Sequence, residues 1–381
     1  MKYMGSKSFM LRNGLGVLIK RRSKNAKRIV DLFSGAGHVA WFAAEKIDMP
    51  VLAVDLQNYS KVLSDAILLR QDHINADKLK EKWLDKAKIA ISQSSYYKIA
   101  CELENGKITR KKVEDARSLC ERHKRVGLVW RSYGGYYFSP SQALTIDLMS
   151  KYLPDRNPAR SVCLAALITA ASKCVAAPGH TAQPFQPTKG AKKFLQEAWK
   201  RNLITFAEKA LEDISGRYAK KIGKAIIADA MKVARHLKED DLVVIDPPYS
   251  GVQYSRFYHV LETIATGKCG PVSGVGRYPS IKERPQSPFS NRGQSKSALE
   301  KLLQRIALRG SRVIFTFPAG EASNGLSGRL VEETASRWFK VSKKVINNRF
   351  STLGGNNHNR LARQRSKELI LWLSPKINGQ K

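Results

Sequence analysis

Four consecutive residues, Asp246-Pro247-Pro248-Tyr249, hold the most specific chemistry in the chain. A carboxylate accepts hydrogen bonds. Proline lacks an N–H, so the turn offers carbonyl acceptors without a competing donor. The tyrosine supplies a face on which a planar ring can stack. Such a set suits an exocyclic amine on a flat heterocycle. Residues 242–245 are a short, β-branched apolar run that reads as a buried strand. The tetrapeptide then lies at the C-terminal end of a strand, where open α/β sheets place their ligands. A strand end with an ordinary proline turn is the plainer alternative.

A second constellation is Asp31-Leu32-Phe33-Ser34-Gly35-Ala36-Gly37. It reads as a strand running through a tight glycine turn into a helix, whose first N–H groups lack partners. Dinucleotide folds carry Gly-x-Gly-x-x-Gly, whereas this turn has Gly-x-Gly behind an acidic strand end. That favours a nucleoside with an amino-acid tail over a pyrophosphate. Asp55 ends the next strand-like run, at roughly the 20-residue separation of a ribose-binding carboxylate. It could equally cap the helix starting near Ser60. Asp229 ends a further strand-like run, and either an adenine amino group or a helix N-terminus would suit it. The opening segment, Lys2-Tyr3-Met4-Gly5-Ser6-Lys7, says almost nothing alone.

These residues need a frame. Runs at 28–33 and 51–55 read as strands around a helix over 36–46, with Val39, Ala40, Phe42 and Ala43 on its apolar face. That βαβ unit implies a parallel sheet. From 57 to 222 strand-like runs are rare. Helical periodicity appears at 60–70, 76–91, 113–124, 141–152, 159–174 and 191–214, with basic loops at 126–138 and 176–190. This is too much chain for one crossover. Strands resume at 225–229, 242–246 and 312–317, with helices over 256–266, 297–308 and 328–339 and a loop over 267–296. A final strand pair at 341–346 and 369–373 flanks a loop. The predicted architecture is α/β. A Rossmann-like sheet, mostly parallel with a final antiparallel strand, is built from 1–56 and 223–381. A mainly helical domain, 57–222, is inserted.

The formal net charge is +35 over 381 residues, while 43% hydrophobic content is ordinary for a globular chain. Such an excess points to a polyanionic partner, most simply nucleic acid. No long apolar span or amphipathic anchor argues for a membrane, and no signal peptide is seen at the start. The five cysteines are scattered, with no Cys-x-x-Cys pair and no His cluster, so neither a metal site nor a disulfide framework is expected. A reducing cytoplasm fits.

Taken in order, these segments resemble the D12 class of S-adenosylmethionine-dependent DNA adenine-N6 methyltransferases, the Dam-like α group. Lys2-Tyr3-Met4-Gly5-Ser6-Lys7, the Asp31 to Gly37 turn, Asp55, Asp229 and Asp246-Pro247-Pro248-Tyr249 follow the family sequence of elements. The resemblance covers roughly 1–56 and 223–375. Ala230 departs from the phenylalanine that often follows the acid at 229. The resemblance implies a class I methyltransferase fold and S-adenosyl-L-methionine as cofactor, held by Tyr3, Lys7, Asp31, Phe33, Ser34, Gly35, Ala36, Gly37, Asp55, Asp229 and Asp246. It implies catalysis by Asp246, Pro247, Pro248 and Tyr249 on a flipped adenine in a specific duplex sequence, with 57–222 as the target-recognition domain. Lys111, Lys112, Arg125, Arg131, Tyr136, Arg277, Arg292, Arg360 and Arg363 are the expected contacts to double-stranded DNA. Tyr133 and Tyr137 could also insert or stack. Localisation would be cytoplasmic, on the nucleoid. A cognate restriction or defence partner stays open, as do an RNA adenine substrate and a non-catalytic DNA-binding module.

Overall fold

The computed structural model describes residues 7–351 and 363–376, and the chain divides into two compact units. The sheet unit takes the described parts of Gly5–Asp72, Tyr218–Tyr254 and Gln286–Lys381. The helical unit takes His73–Arg217 and Ser255–Pro285.

Seven strands make one sheet: β1 (Arg28–Asp31), β2 (Val51–Asp55), β3 (Lys224–Ile227), β4 (Asp241–Ile245), β5 (Arg312–Pro318), β6 (Phe339–Ser351) and β7 (Arg363–Pro375). Their order is β3-β2-β1-β4-β5-β7-β6. The first five are mutually parallel, and β7 runs antiparallel to both β5 and β6. This is the mostly parallel, Rossmann-like sheet expected from the βαβ pattern, with β6 and β7 longer than the hydrophobic runs suggested. Every residue of β4 is buried, as a central strand covered on both faces requires.

Side chains alternate along each strand. Val313, Phe315, Phe317, Leu369, Leu371 and Leu373 join the core under the helices Ser295–Leu308 and Gly328–Trp338. Ile314, Thr316, Ile370 and Trp372 therefore point to the other face. That face carries the helices Gly16–Ser23, His38–Lys46 and Asn58–Leu68. Strand order reverses between β1 and β4, which opens a crevice at their C-terminal ends. Asp31 ends β1 and Asp246 follows β4, so the topology brings the two motifs to one crevice.

The helical unit is a bundle around Ala159–Cys174, a helix buried on nearly every side. The helix Pro140–Lys151 begins with a capping box, in which Ser139 and Gln142 satisfy each other's N–H groups. Trp83, Trp130, Tyr133, Tyr137 and Phe138 are fully buried in this unit.

Several expectations change. The helix after the glycine turn starts at His38, not at 36, because Gly37 is left-handed (φ 77°). The helices Gly16–Ser23 and Ser95–Glu104 carry no sequence signal that singled them out. The expected boundary at residue 57 moves, because Asn58–Leu68 packs on β2 and β3 and its Asp65 accepts the Ala225 N–H at 3.0 Å. The segment 255–285, expected with the sheet, belongs to the helical unit. Its helix His259–Thr266 packs on Ala159–Cys174 and on Leu128–Tyr133. The latter helix lies within the expected loop 126–138. Among the described residues no helix is long and apolar enough to cross a membrane.

Candidate active site

Asp246 is the centre of the crevice. Lys7 Nζ lies 2.9 Å from its Oδ1, and the Thr316 hydroxyl of β5 donates to the same oxygen at 2.8 Å. Oδ2 has no protein partner among the described residues. Lys7 is only 5% exposed. Burial alone would lower its basicity, but the charges of Asp246, Glu368 and Tyr249 outweigh it and raise the lysine above its ordinary value. Lys7 is thus a fixed positive charge beside the carboxylate. Tyr249 sits with Lys7 Nζ 6.0 Å from its ring centroid and stands edge-on to Phe317 at 6.5 Å. Burial pushes its phenol up to about 12, so it stays neutral.

The proline turn is held from a distance. Asn324 Nδ2 donates to the Pro248 carbonyl at 2.9 Å and to the Phe289 carbonyl at 3.0 Å. Its Oδ1 accepts the Leu326 N–H, and Ser295 Oγ donates to its backbone carbonyl at 2.8 Å. Asn324 is fully buried, so these bonds are shielded from water. The Pro248 carbonyl is thus occupied, whereas the Pro247 carbonyl has no hydrogen-bond partner among the described residues. Phe289 in turn meets Phe33 edge-on at 5.2 Å. One asparagine therefore ties the proline turn to the wall of the glycine turn. Asn324, Thr316 and Phe289 carry no local signal of a site: Thr316 lies in the expected strand 312–317, Phe289 in the expected loop 267–296, and nothing adjacent marks Asn324.

The glycine turn sits beneath. Gly35 (φ 50°) and Gly37 (φ 77°) hold left-handed conformations that other residues rarely adopt. Asp55 Oδ2 accepts the Gly35 N–H at 2.8 Å, and Oδ1 accepts the Gln57 N–H at 3.0 Å. Asp55 thus fastens the turn, while the helix Asn58–Leu68 has no side-chain cap. Ser34 Oγ is 3.0 Å from Ser60 Oγ, and both residues are buried. Ala36 is buried in the same turn. Asp229 caps the helix Ala230–Val233 by accepting the Met231 N–H at 2.7 Å, so the capping alternative is realised there.

Asp31 is 1% exposed, and its Oδ2 is buried without a hydrogen-bond partner. Burial, with the charges of Asp246 and Asp55, pushes its carboxyl up to about 8. An orphaned buried carboxyl oxygen beside a glycine turn fits a cationic donor such as an amino-acid ammonium.

Sequence comparison places this geometry. Residues 3–138 and 161–303 match the profile described as D12 class N6 adenine-specific DNA methyltransferase. The chain belongs to this family. The match runs well into the helical region, which the motifs alone did not cover. Modification methylase LlaI of Lactococcus lactis subsp. lactis is 24% identical over 322 residues, 80% of this chain and 44% of that protein. Modification methylase StsI of Streptococcus sanguinis is 31% identical over 86 residues, 23% of this chain and 13% of that protein. The chain spans less than half the length of these curated relatives.

Of the cationic residues expected on DNA in this D12 chain, Lys111, Arg125 and Arg131 are exposed on the helical unit. Lys112 is occupied by the Asn105 carbonyl. Arg277 is largely buried and donates to the Ser132 and Arg131 carbonyls at 2.9 and 3.1 Å. Tyr136 is sandwiched between the guanidinium groups of Arg117 and Arg277, 4.3 and 4.6 Å from its centroid. Arg277 and Tyr136 therefore brace the unit. Tyr133 and Tyr137 cannot insert into DNA from their buried positions. The Tyr133 hydroxyl is 2.9 Å from Thr263 Oγ1, and the Tyr137 hydroxyl is 2.5 Å from the Thr181 carbonyl. Aromatic residues among glycines read as a basic loop because their partners lie far along the chain. Arg292 is exposed on the sheet unit. Tyr3, Arg360 and the side chain of Arg363 lie outside the described residues.

Proposed function

We propose that this chain methylates the N6 amine of an adenine flipped out of a specific duplex DNA sequence, with S-adenosyl-L-methionine as donor. One observation carries the reading. Both partners of Asp246 among the described residues, Lys7 and Thr316, converge on Oδ1, which leaves Oδ2, together with the carbonyl of the adjacent Pro247, for a ligand. That is an acceptor pair for the two N–H groups of an aromatic amine.

Such an amine is a poor nucleophile because its lone pair is delocalised into the ring. Asp246 Oδ2 and the Pro247 carbonyl accept its two N–H bonds and localise that pair on nitrogen, towards the incoming carbon. When bound, the cofactor supplies a methyl group carried on a sulfonium. Transfer would form the new C–N bond as the donor's C–S bond breaks, with the amine proton leaving to solvent. Lys7 keeps its proton and stabilises the carboxylate. Tyr249 stacks on the base. Asp31 would hold the ammonium of the donor's amino-acid tail, residues 33–37 would line it, and Asp55 and Asp229 would offer their remaining lone pairs to the ribose and the adenine. A paired base cannot reach such a crevice, so flipping is required, at about a few kcal/mol.

The helical unit, including 255–285, is the proposed reader of sequence, with Lys111, Arg125 and Arg131 towards the DNA and Arg292 contributing from the sheet unit. The names of the relatives, modification methylases, support a role beside a restriction enzyme, and action on DNA would place the protein in the cytoplasm on the nucleoid. Expression in a methylation-free host, followed by single-molecule mapping of modified bases, tests the assignment. N6-methyladenine at one sequence context is expected, and Asp246→Ala should abolish it with DNA binding kept. Activity retained in that variant, or modification of RNA alone, would overturn the reading.

A further inference from the structure

The cations of this chain are not spread evenly. Residues 1–30 hold nine Lys or Arg and no Asp or Glu, and residues 339–375 hold eight against the single Glu368. In the sheet unit, described parts of these two stretches face each other across a groove of about 300 Å³. One wall is the helix Gly16–Ser23, with Arg21 and Arg22. The other is the outer end of the sheet, with Lys343 and Lys344 on β6 and Ile370 and Trp372 on β7.

Lys343 is neutralised by Glu332 at 3.0 Å. Arg21, Arg22 and Lys344 have no ion-pair partner among the described residues. Arg22 is the most telling. Its guanidinium lies 4.2 Å over the Trp372 ring, and its Nε is buried without a hydrogen-bond partner. Its basicity is lowered by burial and by the neighbouring charges of Arg21 and Arg312. A half-buried cation, crowded by cations and carrying an orphaned donor, is half of an ion pair.

The Lys344 end of the groove lies level with the candidate active site, while Arg22, over Trp372, sits level with Ile314, two residues earlier on β5. Lys344 pairs with Ile370, and Ile370 with Thr316, whose hydroxyl holds Asp246. Two interstrand steps are roughly 10 Å. Lys344 Nζ reaches towards Gly14, where an added Cβ would lie 3.3 Å away. The segment that forms this wall is the one that brings Lys7 to Asp246.

We propose that this groove takes the sugar–phosphate backbone of the bound duplex beside the flipped nucleotide, with Arg21, Arg22 and Lys344 on phosphates. This rests on the reading of the substrate as duplex DNA. The floor is largely apolar, formed by Val17, Leu18, Ile370 and the Trp372 ring, with Ser342 adding one hydroxyl. Contacts from its cations to phosphates add affinity and position rather than sequence choice.

The test is the salt dependence of binding to a labelled duplex of random sequence, by fluorescence anisotropy. Arg21→Gln/Lys344→Gln alters two cations outside the catalytic machinery. Each lost phosphate contact removes about 0.9 from the slope of log K against log salt, so the slope should fall by about 1.8. Lys296→Gln/Lys301→Gln, on the helix over the opposite face, makes the same charge change and should leave the slope unaltered. An unchanged slope in the groove variant, or an equal fall in the control, would overturn the proposal. Methyl transfer is scored separately. If the groove governs the slope but no methyl is transferred, the groove stands and the reading of Asp246 falls. If methylation proceeds with an unchanged slope, only the groove falls. If no duplex binds, both fall.

Discussion

Asp31 offers the sharpest test of the cofactor side of this site. In the free protein its carboxyl is pushed up to about 8, chiefly by burial and further by the charges of Asp246 and Asp55. Its Oδ2 has no partner in the fold. If the donor's ammonium binds there, Asp31 must be ionised in the complex. The raised value means the free protein holds the proton below about 8, so binding there releases it. Affinity should then fall as pH falls, by about tenfold per unit, since one pKa unit is about 1.36 kcal/mol. Between about pH 7.5 and pH 5.5 the cofactor's Kd should rise about 100-fold. Asp31→Asn carries no proton to release, so its Kd should be flat across that window. It should also be about 10- to 150-fold weaker at the upper end, the worth of a hydrogen bond between charged groups, about 1.5–3 kcal/mol. Isothermal titration calorimetry in buffers of different ionisation enthalpy measures both the Kd and the protons released. Nearly one proton should leave on binding at the acidic end. A flat Kd with no proton release in the wild-type protein would refute the role given to Asp31, whatever the overall affinity.

Two further outcomes follow from the geometry. Asn324→Ala strands the Pro248 and Phe289 carbonyls, each costing about 1–3 kcal/mol when buried and unpaired. Urea unfolding should show that loss, and kcat for methyl transfer should drop even where the variant stays folded, whereas unchanged kcat would mean the proline turn needs no such tie. Tyr137→Phe removes a hydroxyl that serves the Thr181 and Gly276 carbonyls. It should lower stability by about 1–3 kcal/mol with DNA affinity unchanged, and a selective loss of DNA binding would restore Tyr137 as a stacking residue.

Much of the sheet and half of the candidate site could be read in advance, for a local reason. Strands such as 242–245 and 312–317 announce themselves as β-branched runs, and β4 and β5 fall there. The glycine turn and Asp246-Pro247-Pro248-Tyr249 act through their own backbone conformation, so neighbouring residues suffice to find them. Asp229 and Asp55 show the limit of such reading. Each ends a strand-like run, yet one caps a helix and the other fastens the glycine turn 20 residues earlier in sequence. The Leu128–Tyr133 helix was hidden because the flanking Gly127, Gly134 and Gly135, with Tyr136 and Tyr137, look like loop until the partners of Tyr133 and Tyr137 are known. Thr181 lies 44 residues from Tyr137, and Thr263 and Gly276 lie 130 and 139 residues from their tyrosines.

The sequence by itself determined the α/β class, the D12 family, the acceptor tetrapeptide and the cationic excess, because each is a property of short segments or of composition. Only the tertiary structure decided which oxygen of Asp246 is occupied, that Asn324 fixes the proline turn, that 255–285 packs with the helical unit, and that two cation-rich stretches meet across a groove. The reason is the same in each case. Hydrogen bonds and charges act over a few ångströms in space, and the residues that meet here, Lys7 with Asp246, Asn324 with Pro248, Arg22 with Trp372, lie tens to hundreds of positions apart along the chain.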